Sequence, residues 1–501
     1  MGLTAAGAAP ALGFAGSARA ATKGQPVGAE PALVFDPAAH TEQTIAVRDT
    51  TGTVHSVTYR FFKVASYVAR PVNAAYQSLN VSVPVSVDGS PVDATDAPIL
   101  LANSVGGYMP SSVAANTGII ASGMGGGTSR QALALAAGYV VVEPGARGRT
   151  LVDADGVYYG TAPAAIVDLK AAVRYLKANK GRVPGDVERI VSSGVSAGGA
   201  LSALLGASGD SPLYEPYLAE IGAADASDAI FASGDWCPIT DLEHADAAYE
   251  WNWGGSPLAS GALVDQTLSR ELTARYADYL PTLGLRTEGH GTLTARNLDD
   301  HLVEKYLQPS ATRFLAALTD DARADYLAAH PFLTWSGGRA RFTWADFLTH
   351  VGPRKKNAPS FDAFGLTTPE NNLYGTGTTG ARHFTLFSLR HEQGAGARLA
   401  PDIPAKLRLM NPMHHLVDQV NPHRAKHWWI RVGTKDSDTS LSVVANLATR
   451  LENLGDDVDA RYYWDGGHGA DQDPGEFIGW IAQVTGHRPG VRSRRLPGRG
   501  R

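Results

Sequence analysis

The first part of the chain alternates apolar and polar positions with a period of two. The alternation covers residues 44–49, 54–62 and 79–87. Such a pattern is typical of β-strands that turn one face toward a core and the other toward water. We therefore predict antiparallel edge strands in this region, leading into a larger sheet.

Between residues 98 and 206 the pattern changes to short continuous apolar runs that alternate with helical stripes. The predicted strands are 98–102, 139–143 and 189–192, and the predicted helices are 130–137, 163–179 and 197–205. In the second helix, Lys170, Arg174 and Lys177 occupy the polar face opposite the apolar stripe. Strands and helices in alternation predict an α/β fold with a doubly wound, mostly parallel sheet and ligands at the carboxyl ends of its strands.

The alternation stops after residue 235 and resumes only after residue 407. The resumed pattern predicts strands at 427–433 and 458–464 and helices at 439–454 and 475–484. The middle segment is therefore interpreted as an insertion into one α/β unit. The predicted division is a first core part (30–235), an inserted domain (236–405) and a second core part (406–486).

The composition limits the classes of partner. The chain has 501 residues, 44% of them apolar and 19% charged, with a formal net charge of -5. These values are typical of a soluble globular protein, and they give no overall electrostatic reason to bind nucleic acid or an anionic membrane. A small-molecule partner is therefore favoured over nucleic acid or a membrane. The composition does not determine the oligomeric state.

Cys237 is the one cysteine in the sequence. A single cysteine excludes an intramolecular disulfide and a cysteine-rich metal site. Its surroundings resemble a strand end that feeds a loop, so a buried structural thiol is predicted. No metal and no cofactor are expected.

Both ends of the chain differ in composition from the rest. Residues 1–21 are rich in Ala, Gly and Leu and contain an Ala-x-Ala pattern that ends at Ala20. This favours an export signal cleaved near Ala20, hence a secreted protein, although no basic residue precedes Arg19 and a disordered leader is the alternative. Residues 487–501 scatter arginines among Gly and Pro, which predicts a solvated, disordered tail.

Ser196 lies in the motif Gly194-Val-Ser-Ala-Gly198, between a predicted strand and a predicted helix. A nucleophilic serine on such a tight turn requires small residues two positions before and after it, so that strand and helix can pass closely. The motif therefore indicates a nucleophile elbow. The structural alternative is a glycine turn with a serine that caps the helix.

A serine nucleophile needs a base and an orienting carboxylate, which in an α/β-hydrolase follow in the order Ser, Asp or Glu, His. His468 stands in a glycine loop between the last predicted strand and the last predicted helix, so we assign it as the base. The preceding strand is followed by Asp436 and Asp438. Asp438 directly precedes a helix and could be its N-cap, so Asp436 is assigned to the triad.

An oxyanion hole requires two backbone N–H donors. The first predicted donor is Ala197, directly after the nucleophile. The second should come from the glycine loop Asn103-Ser-Val-Gly-Gly-Tyr108, as Gly106 or, by preference, Gly107.

Several further motifs resemble those of the bacterial tannases, α/β-hydrolases that split galloyl esters. They are Asn103-Ser-Val-Gly-Gly-Tyr-Met, Pro144-Gly-Ala-Arg-Gly-Arg, Gly194-Val-Ser-Ala-Gly-Gly-Ala, Cys237-Pro-Ile-Thr-Asp-Leu-Glu-His-Ala-Asp, Leu366-Thr-Thr-Pro-Glu-Asn, Gly433-Thr-Lys-Asp-Ser-Asp-Thr and Asp465-Gly-Gly-His-Gly. The resemblance covers roughly residues 95–475 and implies an α/β-hydrolase fold whose insertion is a lid. The fungal tannases carry adjacent cysteines in the nucleophile and histidine regions, which this chain lacks.

The resemblance also implies a triad of Ser196, Asp436 and His468 and a clamp for the galloyl ring. The matching clamp positions are Lys356, Glu370 and Asp438, with Lys355 as an alternative to its neighbour. One ammonium and two carboxylates suit three adjacent phenolic hydroxyls, which both donate and accept hydrogen bonds.

The expected function is that of a serine esterase that hydrolyses galloyl esters through an acyl-enzyme. Two alternatives stay open at this point. The first is a feruloyl or chlorogenate esterase, whose methoxylated substrates would use the clamp poorly. The second is a non-catalytic protein that binds phenolic compounds on a hydrolase scaffold.

Overall fold

The computed structural model describes residues 33–123 and 127–487. The predicted leader (1–21) and the arginines of the predicted tail (488–501) lie outside the described residues. Within the described ranges no helix combines the length and the apolar character needed to cross a membrane.

A ten-stranded sheet forms the centre of the described chain. Its strands are β1 (His40–Arg48), β2 (Val54–Val64), β3 (Leu79–Val87), β4 (Ser90–Pro91), β5 (Ile99–Ala102), β6 (Val140–Pro144), β7 (Ile190–Val195), β8 (Ala232–Trp236), β13 (His427–Gly433) and β14 (Asp457–Tyr463). Two separate hairpins consist of β9 (Arg286–Thr287) with β10 (Gly291–Thr292) and β11 (Thr334–Ser336) with β12 (Arg339–Arg341).

The strand order confirms the predicted α/β fold. The order is β1-β2-β3-β6-β5-β7-β8-β13-β14, with β4 paired to β3. Strands β1 to β3 are antiparallel, as predicted, and β3 is antiparallel to β6. All the pairs from β6 to β14 are parallel. The carboxyl ends of β5, β7, β8 and β13 therefore meet at one edge of the sheet.

Helices cover both faces of this sheet. In β5, Ile99 and Leu101 belong to one buried apolar cluster and Leu100 to another, because successive side chains point to opposite faces. A strand buried on both faces needs a continuous apolar run, which explains the pattern seen in the sequence.

The α-helices of the described residues are α1 (Arg130–Ala136), α2 (Ala164–Ala178), α3 (Ala197–Ala207), α4 (Glu215–Glu220), α5 (Leu242–Trp253), α6 (Gln266–Tyr279), α7 (Leu298–Leu302), α8 (Gln308–Ala317), α9 (Asp320–Ala329), α10 (Trp344–His350), α11 (Pro369–Leu373), α12 (Leu386–Gln393), α13 (Ile403–Met410), α14 (Leu441–Asn453) and α15 (Pro474–Thr485). The five helices that the sequence predicts, α1, α2, α3, α14 and α15, follow their predicted boundaries within a few residues. Shorter turns of helix occur at Pro212–Tyr214, Leu280–Leu283, Val303–Leu307 and His414–Asp418.

The polar face of α2 differs from the pattern read in the sequence. Lys170 is fully buried and Arg174 nearly so. Lys170 Nζ lies 2.7 Å from Asp228 Oδ1, and Arg174 Nε lies 2.9 Å from Asp228 Oδ2. A buried cation is tolerated when it is paired and hydrogen-bonded, and the fully buried carboxylate of Asp228 supplies both partners.

A long segment separates two neighbouring strands of the sheet. The chain leaves the sheet after β8 at Trp236 and returns at His427 in β13, although the two strands pair directly, with Ala232 opposite His427. This segment contains the two hairpins and α5 to α13. Lys356 and Glu370 lie within it, and its designation as a lid stays a prediction.

Candidate active site

Ser196 occupies a strained turn between β7 and α3. Its φ of 61° and ψ of -122° fall in a region that residues with a side chain rarely adopt. A Cβ added at Gly194 would lie 2.2 Å from the carbonyl oxygen of Gly198, and one added at Gly198 would lie 2.6 Å from Asn103 Oδ1. Gly194 is therefore required by the close passage of strand and helix, as predicted, whereas Gly198 is required by the loop after β5, which packs against the turn.

The side chain of Ser196 does not cap α3. Its Oγ instead lies 2.9 Å from Nε2 of His468, while Nδ1 of His468 lies 2.9 Å from each carboxylate oxygen of Asp436. Asp436 is fully buried, and the His468 side chain is 27% exposed. The helix-cap interpretation of Ser196 is therefore wrong, and the three residues form one hydrogen-bonded chain.

Helix α14 has a cap other than Asp438. Its N-cap is Ser440, whose side chain accepts a hydrogen bond from the N–H of Ser442. Asp438 instead donates its backbone N–H to Asp436 Oδ1 at 2.9 Å. The side chain of Asp438 is thus not used as the cap of α14.

Cys237 lies against the histidine and the aspartate. It is buried, as predicted, and its Sγ lies within 4.8 Å of a carboxylate oxygen of Asp436 and a ring nitrogen of His468. Burial lowers the pKa of His468, but the hydrogen bond to Asp436 and the contact with Cys237 outweigh burial, so the pKa of His468 is raised. The same three side chains are a group among the described residues that could hold a metal ion.

The position of Cys237 beside His468 and Asp436 differs from the purely structural role predicted for its thiol. The strand order explains this position: Cys237 directly follows β8, and the loop of Asp436 directly follows the neighbouring strand β13. The sequence alone does not reveal that β8 and β13 are neighbours.

The glycine loop after β5 lies beside the turn that carries Ser196. Asn103 Nδ2 donates to the carbonyl oxygens of Ser193 and Gly198 and to Ser202 Oγ, at 3.2, 3.1 and 3.0 Å. Gly107 has a φ of 55°, and an added Cβ there would meet nothing within 4 Å. Asn103 thus attaches the loop to the turn that carries Ser196, and the space beside Gly107 is unoccupied by other described residues.

Glu370 lies in α11 and is almost fully buried. Its Oε2 finds no hydrogen-bond partner among the described residues. Burial raises the pKa of Glu370, while the positive charges of Lys356 and Arg149 partly oppose that rise. The ammonium of Lys356 also lies 3.7 Å from the centre of the Phe361 ring. A buried carboxylate oxygen without a partner is costly, so this site favours a ligand that donates a hydrogen bond.

Lys355 and Lys356 point to different partners. Lys355 Nζ lies 2.8 Å from both carboxylate oxygens of Asp438, and 62% of its side chain is exposed. Lys356 lies closer to the buried part of the site, where its charge acts on Glu370. Lys356 and Asp438 thus lie near enough to Glu370 for their charges to affect its pKa, while Lys355 lies on the solvent-exposed side of Asp438.

Comparisons with known proteins point to the same family. A protein-family profile described as BD-FAE matches residues 116–280. A structure of a tannin acyl hydrolase, solved as a mercury derivative, is 37% identical, covers 91% of this chain and 99% of its own, and has a TM-score of 0.80. The tannase of Fusobacterium nucleatum is 36% identical, with 90% and 99% coverage and a TM-score of 0.78.

A third structure is a tannin acyl hydrolase in complex with ethyl gallate. It is 36% identical, with 90% coverage of this chain, 99% of its own and a TM-score of 0.77. No match was found among curated protein sequences.

The fold and these similarities define a carboxylic ester hydrolase with an α/β-hydrolase fold. The non-catalytic alternative is therefore not retained. Because relatives of 36–37% identity match along nearly their whole length, the chain belongs to the tannase, or tannin acyl hydrolase, family.

Proposed function

We propose that this protein is a serine esterase that hydrolyses galloyl esters to gallic acid and an alcohol through an acyl-enzyme. The observation that carries the proposal is the hydrogen-bonded chain from Ser196 through His468 to the buried Asp436. This order of nucleophile, base and orienting carboxylate is the arrangement required for acyl transfer by serine.

In the proposed first half-reaction, Ser196 Oγ attacks the ester carbonyl carbon while His468 Nε2 accepts the hydroxyl proton. The tetrahedral intermediate places its negative oxygen toward the N–H groups of Gly107 and Ala197. When the ester C–O bond breaks, His468 returns the proton to the departing alcohol, and the acyl-enzyme remains. Asp436 holds the imidazole in the required tautomer throughout.

In the second half-reaction, water takes the place of the alcohol. His468 accepts a proton from the water as its oxygen attacks the acyl carbon, and it then protonates Ser196 Oγ as the acyl-enzyme bond breaks. The products are gallic acid and the free serine.

The proposed selectivity for gallate rests on Lys356, Glu370 and Asp438. The unpartnered Oε2 of Glu370 can accept a phenolic hydrogen, and Lys356 can donate to a phenolic oxygen. A site built to hydrogen-bond substrate hydroxyls rejects analogues that lack them. Ethyl gallate and 3,4-dihydroxybenzoate, the compounds bound in two related structures, both carry adjacent phenolic hydroxyls.

Lys356 and Glu370 both lie in the segment between β8 and β13. We therefore propose that residues 236–405 act as the lid that recognises the phenolic ring, while the sheet supplies the residues for ester cleavage. Strands place reacting groups rigidly, and the long connection supplies the variable contacts.

The second candidate function is hydrolysis of hydroxycinnamate esters such as ferulates. The observation in its favour is the BD-FAE profile over residues 116–280. The test is a comparison of kcat/KM on methyl gallate and methyl ferulate. We expect a clear preference for the gallate, because a methoxy group cannot donate to Glu370. Equal or faster hydrolysis of the ferulate would overturn the gallate assignment.

A further inference from the structure

The motif Pro144-Gly-Ala-Arg-Gly-Arg149 has no role in the steps described so far. It begins at the last residue of β6 and contacts the glycine loop that carries the proposed oxyanion donor Gly107. A Cβ at Gly148 would lie 2.1 Å from the backbone nitrogen of Pro110, so the two loops touch through their backbones. This contact directs attention to Arg149, the last residue of the motif.

Arg149 makes two hydrogen bonds to the glycine loop. Its Nε donates to the carbonyl oxygen of Gly107 at 2.8 Å, and its backbone N–H donates to the carbonyl oxygen of Tyr108 at 2.9 Å. Gly107 and Tyr108 both have a positive φ, of 55° and 54°. Tyr108 is strained in this conformation, and a strained loop persists only where its surroundings hold it.

The same guanidinium also contacts the inserted segment. Arg149 Nη1 donates to Asn372 Oδ1 at 2.7 Å, and Asn372 lies in α11 together with Glu370. The positive charge of Arg149 also opposes the burial that raises the pKa of Glu370. Arg149 therefore joins the two parts of the site, the loop beside the reacting carbonyl and the helix beside the phenolic ring.

We infer that Arg149 is a positioning residue that sets the distance between the oxyanion loop and the ring-binding helix α11. The inference rests on the proposed function. A galloyl ester is rigid, because its carbonyl is attached directly to the ring. Its ring and its carbonyl can therefore be held together only if the two parts of the site keep a fixed separation. A planar guanidinium with several donors in one plane can bridge two acceptors, whereas an ammonium on a flexible stem holds them less firmly.

Two probes weight the two parts of the site differently. Phenylboronic acid forms a tetrahedral adduct with a nucleophilic serine and has no phenolic hydroxyl, so its affinity reports mainly on Ser196 and the oxyanion loop. Gallic acid carries the three phenolic hydroxyls, and its affinity reports on Glu370 and its neighbours. Titration of both probes into Arg149→Met, Arg149→Lys and Asn372→Ala, together with kcat and KM on methyl gallate and methyl benzoate, tests the inference.

We expect Arg149→Met to weaken both probes about tenfold or more and to lower kcat on both esters, because small displacements of positioned groups are costly. Arg149→Lys should recover part of each loss. Asn372→Ala leaves the contact with Gly107 intact, so it should weaken gallic acid while the affinity for phenylboronic acid stays unchanged.

Unchanged affinities for both probes in Arg149→Met would overturn the inference, whatever happens to the melting temperature. Equal losses in Arg149→Met and Arg149→Lys would also overturn it. If the wild-type protein binds no gallic acid, the proposed substrate class fails, and the phenylboronic acid titrations alone then decide the role of Arg149.

Discussion

Lys355 Nζ lies 2.8 Å from both carboxylate oxygens of Asp438, whereas its neighbour Lys356 directs its charge toward the buried Glu370. An ion pair with an exposed partner is screened by water and contributes little. We therefore expect Lys355→Met to leave kcat/KM on methyl gallate nearly unchanged. Lys356→Met should lower it by about 10- to 100-fold, the usual effect of a lost charged hydrogen bond. Steady-state kinetics on the two variants measure this, and the reverse order would assign the ring contact to Lys355.

Asp438 should affect gallate esters more than esters without phenolic hydroxyls. Ser440 caps α14, so the substitution Asp438→Asn leaves the helix cap intact. The expected result is a larger loss of kcat/KM on methyl gallate than on methyl benzoate. Equal losses on the two esters would indicate that Asp438 acts through Asp436, to which it donates its backbone N–H.

Ser196→Ala should abolish hydrolysis without removing the ring site. We expect kcat on methyl gallate to fall by about 10⁴-fold or more, because the nucleophile is lost. Gallic acid should still bind with nearly the wild-type affinity, as measured by calorimetry, since Ser196 takes no part in the proposed ring contacts. An unchanged rate would mean that the reaction does not use this turn.

The rate should depend on pH through His468. The base form of His468 accepts the serine proton, and a raised pKa delays that form to higher pH. The acidic limb of kcat/KM should therefore have its midpoint above the ordinary histidine value of 6.5. Cys237→Ala removes one of the contacts that raise the pKa of His468, so it should move the midpoint to lower pH. An unchanged or higher midpoint would contradict the role of Cys237.

Glu143 should make the protein less stable as the pH rises. It is buried in β6, and burial raises its pKa from 4.5 to about 7. Between these values the folded protein keeps a proton that the unfolded chain releases, so stability falls as pH rises from about 4.5 to about 7. The loss amounts to about 3 kcal/mol at higher pH.

Glu143→Gln carries no such penalty. We expect its free energy of unfolding in urea to exceed that of the wild type at pH 8 and to match it near pH 4. Glu42→Gln, at an exposed position in β1, is the matched control and should change neither value. A stability difference that is independent of pH would show that Glu143 acts through packing.

The sequence predicts the sheet well because the information is local. The alternation over residues 79–87 gives β3 with its observed bounds, and the apolar run near Leu100 gives a strand buried on both faces. Ser196 and His468 could also be found, since each stands in a glycine-rich turn at the end of a predicted strand, and their contact follows from the parallel sheet.

Other features depend on contacts that no local pattern contains. Lys170 belongs to the polar face of α2, yet it is buried because Asp228 reaches it from a distant part of the chain. Cys237 meets Asp436 only because β8 and β13 are neighbours. Arg149 has no local signal either, because its partners are distant in sequence: Gly107 lies in the loop after β5 and Asn372 in α11.

The placement of the long segment between β8 and β13 has a consequence for how this family can change. The two strands pair directly, so the backbone hydrogen bonds between them involve no residue of the segment. The entropic cost of closing a loop rises slowly with its length, by about 0.6 kcal/mol for each doubling. Insertions and deletions are therefore inexpensive for the sheet where the segment does not pack against it. Helix α5 is not such a place, because Ala248 and Asn252 accept hydrogen bonds from Ser440, the N-cap of α14. Under the proposed division of roles, substrate preference can change through this segment while Ser196, Asp436 and His468 are inherited unchanged.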